Sequence, residues 1–167
     1  HIVKDMVDQK QAEIVLGNHE YNAMCYCTEG RVGSGNQYLR EHNARHHRLI
    51  RETLEQFGNH PEEWKEFLSW FHEIPLFIEK DRFRVVHACW DTEAILRFKA
   101  LSPSHCIDVN MLHDSINNDS FVGGAIDKLT RGTALELPNG EIHDCSVVKL
   151  PFFDHEKKIV KGIDRAI

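Results

Sequence analysis

The stretch Ile14-Val15-Leu16-Gly17-Asn18-His19-Glu20 decides how this chain is read. Three apolar residues in a row, two of them β-branched, predict a short buried strand, and Gly17 ends it before a polar loop. A continuous apolar run suits an interior strand covered on both faces, as in a mixed or parallel sheet. The loop Gly17 to Glu20 then lies at the strand's C-terminal end, where open α/β sheets place their ligands. The same four residues also suit a plain turn, with Asn18 left-handed and His19 solvated or capping a helix.

Upstream, Ile2, Val3, Met6 and Val7 share one helical face, so a helix precedes the strand and is already under way at the first residues. Because the chain opens on His1 inside that helix, its natural N-terminus is expected further upstream. Downstream, Gly30, Gly33 and Gly35 mark a loop. Tyr38, Leu39, Leu49, Ile50, Leu54 and Phe57 then predict one long helix up to Gly58. Asn59 or His60 caps the next helix, Pro61 suits its first turn, Glu62 and Glu63 favour its positive end, and Trp64, Phe67, Leu68 and Phe71 form its buried stripe. Pro75 ends it.

Leu76 to Ile78 and Phe83 to His87 predict the two strands of a hairpin around a charged turn, and the second strand delivers His87 at its end. Helices are expected from Thr92 to Lys99 and from about Ser120 to Leu135. Pro138-Asn139-Gly140 then turns between strands near Leu135 and Val147. Beyond Pro151 the pattern weakens, and no internal repeat is visible.

With 167 residues and 41% hydrophobic side chains, the chain can bury one real core but not two comfortable ones. No run approaches the roughly 18 apolar residues of a membrane span. The net charge of −6, with no block of Lys or Arg, gives no nucleic-acid footprint. Five cysteines without a C-x-x-C pair suggest neither a disulfide framework nor a zinc knuckle, and fit free thiols in a reducing cytoplasmic setting.

Two segments carry chemistry. Gly17-Asn18-His19-Glu20 sets an amide oxygen beside an imidazole, and Val85-Val86-His87-Ala88 sets a second imidazole at another strand end. In this order, over roughly residues 1 to 100, the chain resembles the calcineurin-like metallophosphoesterases, nearest to their serine/threonine phosphatase and diadenosine tetraphosphatase branch. The resemblance implies an α/β fold of two packed mixed β-sheets flanked by α-helices. This chain would hold an internal part of it, truncated at both ends: one incomplete domain over 1–167 with a helical insertion at about 36–74.

It further implies hydrolysis of phosphomonoesters or phosphoanhydrides with two divalent metal ions, Mn²⁺ first and Fe or Zn²⁺ next. Asn18 would bind the second metal through its side-chain oxygen, His87 would bind the same metal through a ring nitrogen, and His19 would stay unligated and face the leaving group. Glu20 would brace the loop. Asn18 and His87 can serve one ion only if the two segment ends meet in space. The substrate would be a phosphorylated protein, nucleotide or polynucleotide.

The family's GD-x-H, GD-x-x-D-R-G and later G-H motifs do not occur in this chain, so it is expected to be inactive by itself. The competing expectation is a non-catalytic, helix-rich binding domain that keeps the same turn. Many relatives have glycine two positions after the His87 equivalent, where this chain has Cys89. That thiol is either a small buried residue or a soft ligand. Trp90 and Asp91 line the pocket mouth, or are a core Trp and a helix-starting Asp. His42, His46 and His47 have zinc-like spacing on a helix, but no acidic or thiol ligand completes the set. Cys25 or Cys27 could pair with His19 as a nucleophile, but no third residue orients the pair.

Overall fold

The computed structural model describes residues 1–33, 35, 37–117, 119–133, 135–136 and 142–143. The chain divides into two compact units, His1–Thr133 and Ala134–Ile167. The first holds α1 (Ile2–Asp8), α2 (Asn18–Cys27), α3 (Ala44–Gln56), α4 (Pro61–Phe71), β1 (Phe77–Lys80), β2 (Phe83–Val86), α5 (Thr92–Leu101), α6 (Val109–Ser115) and α7 (Phe121–Arg131). In the second, β3 (Leu135–Glu136) pairs antiparallel with β4 (Ile142–His143). The expected turn at Pro138 to Gly140 and the strand near Val147 lie outside the described residues.

Helices and strands are mixed and helix predominates. Each sheet among the described residues is a two-stranded antiparallel ladder, so the two packed mixed sheets implied by the resemblance are not found among them.

The segment Ile14 to Leu16 is not a strand, contrary to the apolar run's indication. Among the described residues its one ladder-like bond is Leu16 N–H to Pro75 C=O, 2.8 Å. A ladder cannot continue from there, because Pro75 has no N–H to return and the N–H of Leu76 is taken by His105 C=O at 2.9 Å. Leu16 is nonetheless fully buried.

The helix expected from Tyr38 starts only at Ala44. Residues 37 to 40 are tied instead to the end of α2: Leu39 N–H donates to Thr28 C=O, Arg40 N–H to Cys25 C=O, and Tyr38 forms an antiparallel bridge with Glu29. The Asn43 side chain then accepts from His46 N–H at 2.9 Å and caps α3. Helix α4 starts at Pro61 as expected, but its stripe of Trp64, Phe67, Leu68 and Phe71 is half-buried rather than buried.

Helix α5 is capped by Asp91, which accepts from Ala94 N–H at 2.8 Å. Helix α6, capped in the same way by Asp108 on Met111 N–H, was not anticipated. At seven residues it is too short to show a period. Helix α7 stops at Arg131 rather than near Leu135, because Gly132 takes φ +91°, a conformation that ends the helix and that glycine adopts at little cost.

Helix α2 is central because it packs two ways. Its Met24 and Cys25 join Leu16, Leu76, Phe77, Ile95, Phe98, Ile107, Leu112, Ile126 and Leu129 in the main core. Ala23 and Tyr26, on the opposite side, meet Ile50 of α3 with Leu54, Trp64, Leu68 and Phe71 around them. Each large side chain fully buried in this way contributes about 1.5 to 3 kcal/mol. The first turn of α2 is thereby fixed against both halves of the unit.

Candidate active-site cleft

Gly17 is the residue before α2, with φ −98° and ψ 173°, and Asn18, His19 and Glu20 form the helix's first turn rather than a loop. The Glu20 carboxylate accepts from Gly17 N–H at 3.2 Å, and Tyr21 N–H donates to Gly17 C=O at 3.1 Å. The helix closes here because a carboxylate at its third position reaches back to a donor that the helix itself leaves without a partner. Glu20 braces the turn.

His87 directly follows β2. The register Phe77 with Val86 and Lys80 with Phe83 sets where that strand ends. Beyond it, Ala88 N–H donates to Leu129 C=O at 3.0 Å, satisfying one of the carbonyls left open at the end of α7. The His87 ring lies over Gly17: a β-carbon built on Gly17 would stand 3.0 Å from His87 Cε1, 3.1 Å from Nδ1 and 2.7 Å from Glu20 Oε2. The two segments singled out from the sequence therefore meet.

His19 and His87 are exposed and Asn18 is half-buried. A cleft of about 980 Å³ is lined by Gly17, His19, Glu20 and His87 together with the aromatic side chains of Trp64, Phe67, Trp70 and Phe71. Asn18 is not among its lining residues. Successive helical residues point about 100° apart, so Asn18 and His19 leave the helix on different sides. The aromatic wall is not legible in the sequence, because the stripe of α4 has the composition of a core face. Trp70, lying between two stripe positions, was the one available sign of a wider apolar face.

The other candidates resolve into local structure. The His42 ring is stacked between Tyr26 and Tyr38, with centroid distances of 3.8 and 4.0 Å, and its Nε2 bonds to Tyr26 C=O at 2.7 Å. His46 Nδ1 bonds to Glu41 C=O and His47 Nδ1 to the Tyr26 hydroxyl. No zinc set forms from them. Burial raises the Cys25 thiol's pKa, and that of Cys27, which keeps both protonated rather than nucleophilic. Trp90 packs edge-on against Phe77 and Asp91 caps α5, the plainer of the two alternatives for that pair. Cys89 is half-buried.

The described residues do not by themselves fit a metal ion. Asn18 and His87 would supply one oxygen and one nitrogen, short of the four to six donors that such ions take. Among the described residues no three His, Cys, Asp or Glu side chains gather where an ion could be held. No helix among them is long and apolar enough to cross a membrane. Compared with protein-family models, curated proteins and solved structures, the chain matches none.

Proposed function

We propose that this chain carries part of the site of a metal-dependent phosphoesterase of the calcineurin-like type, acting on phosphomonoesters or phosphoanhydrides. The observation that supports it is the contact of His87 with Gly17, since it joins two segments far apart in sequence that the chemistry needs side by side. In such enzymes two divalent ions, Mn²⁺ first among the candidates, lower the pKa of a shared water and neutralise phosphoryl oxygens.

The chain's own residues have narrower tasks. A His87 ring nitrogen would be one donor toward an ion, and Asn18 Oδ1 would join it only by turning toward the cleft that its side chain does not line. His19, exposed on the same cleft as His87, is placed to hold a proton for the departing alkoxide. Two donors cannot hold the metal pair, so no catalytic step is assigned to the described residues alone, and the proposal requires further ligands from beyond them. The α/β fold with two packed sheets belongs to the same proposal.

Any coding sequence upstream of His1 tests the proposal directly. If it holds GD-x-H and GD-x-x-D-R-G, the longer product should hydrolyse an aryl phosphate with Mn²⁺ and lose that activity in Asn18→Ala or His87→Ala. An upstream sequence without those motifs, or a longer product whose activity survives both substitutions, excludes the proposal.

The aromatic wall of the cleft favours a second reading, a non-catalytic helix-rich binding domain. In that case His19→Ala and His87→Ala should leave function intact, whereas Trp64→Ala and Phe67→Ala should abolish partner binding.

A further inference from the structure

We infer that Gly17 and Glu20 are positioning residues that seat the His87 imidazole. What that ring is used for rests on the phosphoesterase proposal; the seat itself does not.

Gly17 has backbone angles open to any residue, φ −98° and ψ 173°, so conformational freedom is not what calls for glycine there. The space above it is. The point where a β-carbon would sit is 2.7 Å from Glu20 Oε2, 3.0 Å from His87 Cε1 and 3.1 Å from His87 Nδ1. A carboxylate and an imidazole thus share the volume that a side chain at position 17 would occupy. Gly17 is buried while His87 is exposed, as expected of a floor and the ring that covers it.

Two hydrogen bonds hold the seat. Glu20 accepts from Gly17 N–H at 3.2 Å and fixes the peptide beneath the ring. On the other side, Ala88 N–H to Leu129 C=O at 3.0 Å anchors the backbone next to His87. An exposed imidazole would otherwise sample several rotamers, and a donor or acid–base group works only when held close to one orientation. The cleft histidine is thus oriented from below by a residue without a side chain, and that residue is braced by the Glu20 carboxylate.

The 167-residue chain with ¹³C-labelled histidine tests this by NMR at about pH 8.5, two units above the ordinary imidazole pKa, so that charge changes do not move the signals. The parent should show an NOE from His87 Hε1 to Gly17 Hα. Gly17→Ala should lose the normal ring position and displace the His87 resonances. Glu20→Gln, whose amide oxygen can still accept from Gly17 N–H, should keep the contact, and Glu20→Ala should lose it. If Gly17→Ala does not fold, the two Glu20 variants decide the matter. Unchanged His87 signals in Gly17→Ala, a contact retained in Glu20→Ala, or equal loss in both Glu20 variants would overturn the inference. Activity plays no part in this readout, so the seat can fail while the phosphoesterase proposal stands, and the reverse.

Discussion

A β-carbon placed on Gly17 would come within 3.0 Å of His87 Cε1, so a residue opening one helix and a residue closing one strand share a single small volume. The contact is set by the chain's own elements. It follows from the end of β2, the anchoring of Ala88 on α7 and the bracing of the first turn of α2 by Glu20.

Gly17→Ala should destabilise the chain by about 1 kcal/mol, since glycine is preferred to alanine before the first helical residue and the added methyl must push Glu20 and the His87 ring aside. Both obstacles are the ends of side chains, which keeps the cost moderate. The urea midpoint measures it. A change near zero would mean that the ring yields freely.

Adjacent glycines in α7 should respond with opposite sign. A β-carbon on Gly123 would stand 2.5 Å from Asn117 C=O and 2.6 Å from Ser115 C=O, both rigid backbone, whereas one on Gly124 would meet nothing within 4 Å. Gly123→Ala should cost more than about 2 kcal/mol by steric conflict, and Gly124→Ala should stabilise by about 0.5 to 1 kcal/mol through helix propensity. Denaturant unfolding of the two single variants gives both numbers, and equal effects would contradict the packing described.

Stability should fall in acid partly through Asp91. Its carboxyl is held below the usual range, first by the hydrogen bond from Ala94 N–H and then by Lys128. The folded state therefore favours the ionised form. That contribution is complete above the ordinary carboxylate value of about 3.9 and is lost as pH falls through the lower folded value. Asp91→Asn should be less stable than the parent at neutral pH and should change less between about pH 5 and pH 2. Melting temperature against pH shows it, and added salt should narrow the difference.

At the alkaline end, Tyr21 contributes to the decline alongside the buried thiols of Cys25 and Cys27. Burial pushes its phenol well above the ordinary range, and its hydroxyl bonds to Ser115 Oγ at 2.8 Å while Ser115 Oγ donates to Leu112 C=O at 2.7 Å. The folded state holds the proton that the unfolded state releases above about pH 10, so stability drops as pH rises past that value. Tyr21→Phe should cost about 1 kcal/mol at neutral pH and should weaken the alkaline decline. An identical decline in both proteins would assign it to other groups.

With excess Mn²⁺ and an aryl phosphate, the 167-residue chain should hydrolyse no faster than its Asn18→Ala/His87→Ala double variant, because the two donors proposed among the described residues cannot hold a metal-bound nucleophile. Activity in the parent that the double variant lacks would show that the chain carries a complete site.

Local chemistry settled what the sequence could say alone. Pro61, Asp91, Ser120 and the β-branched, aromatic-led run Phe83 to Val86 announce their elements through groups within a few residues of each other, and α4, α5, the start of α7 and the β1–β2 hairpin follow. The same locality made Gly17 to Glu20 and His87 legible as chemistry-bearing residues.

What stayed hidden depends on partners far away in sequence. Ile14 to Leu16 has strand composition, yet it meets Pro75, which offers one acceptor and no donor, so no ladder grows. The stripe of α4 has core composition, yet its neighbours cover it only in part, and it becomes a cleft wall. That Gly17 is glycine to make room for an imidazole, rather than to bend the chain, is also a tertiary fact. Composition and spacing determined which residues could form a site; only packing decided that His87 rests on Gly17, because side-chain volume competes for space between elements that sequence distance does not relate.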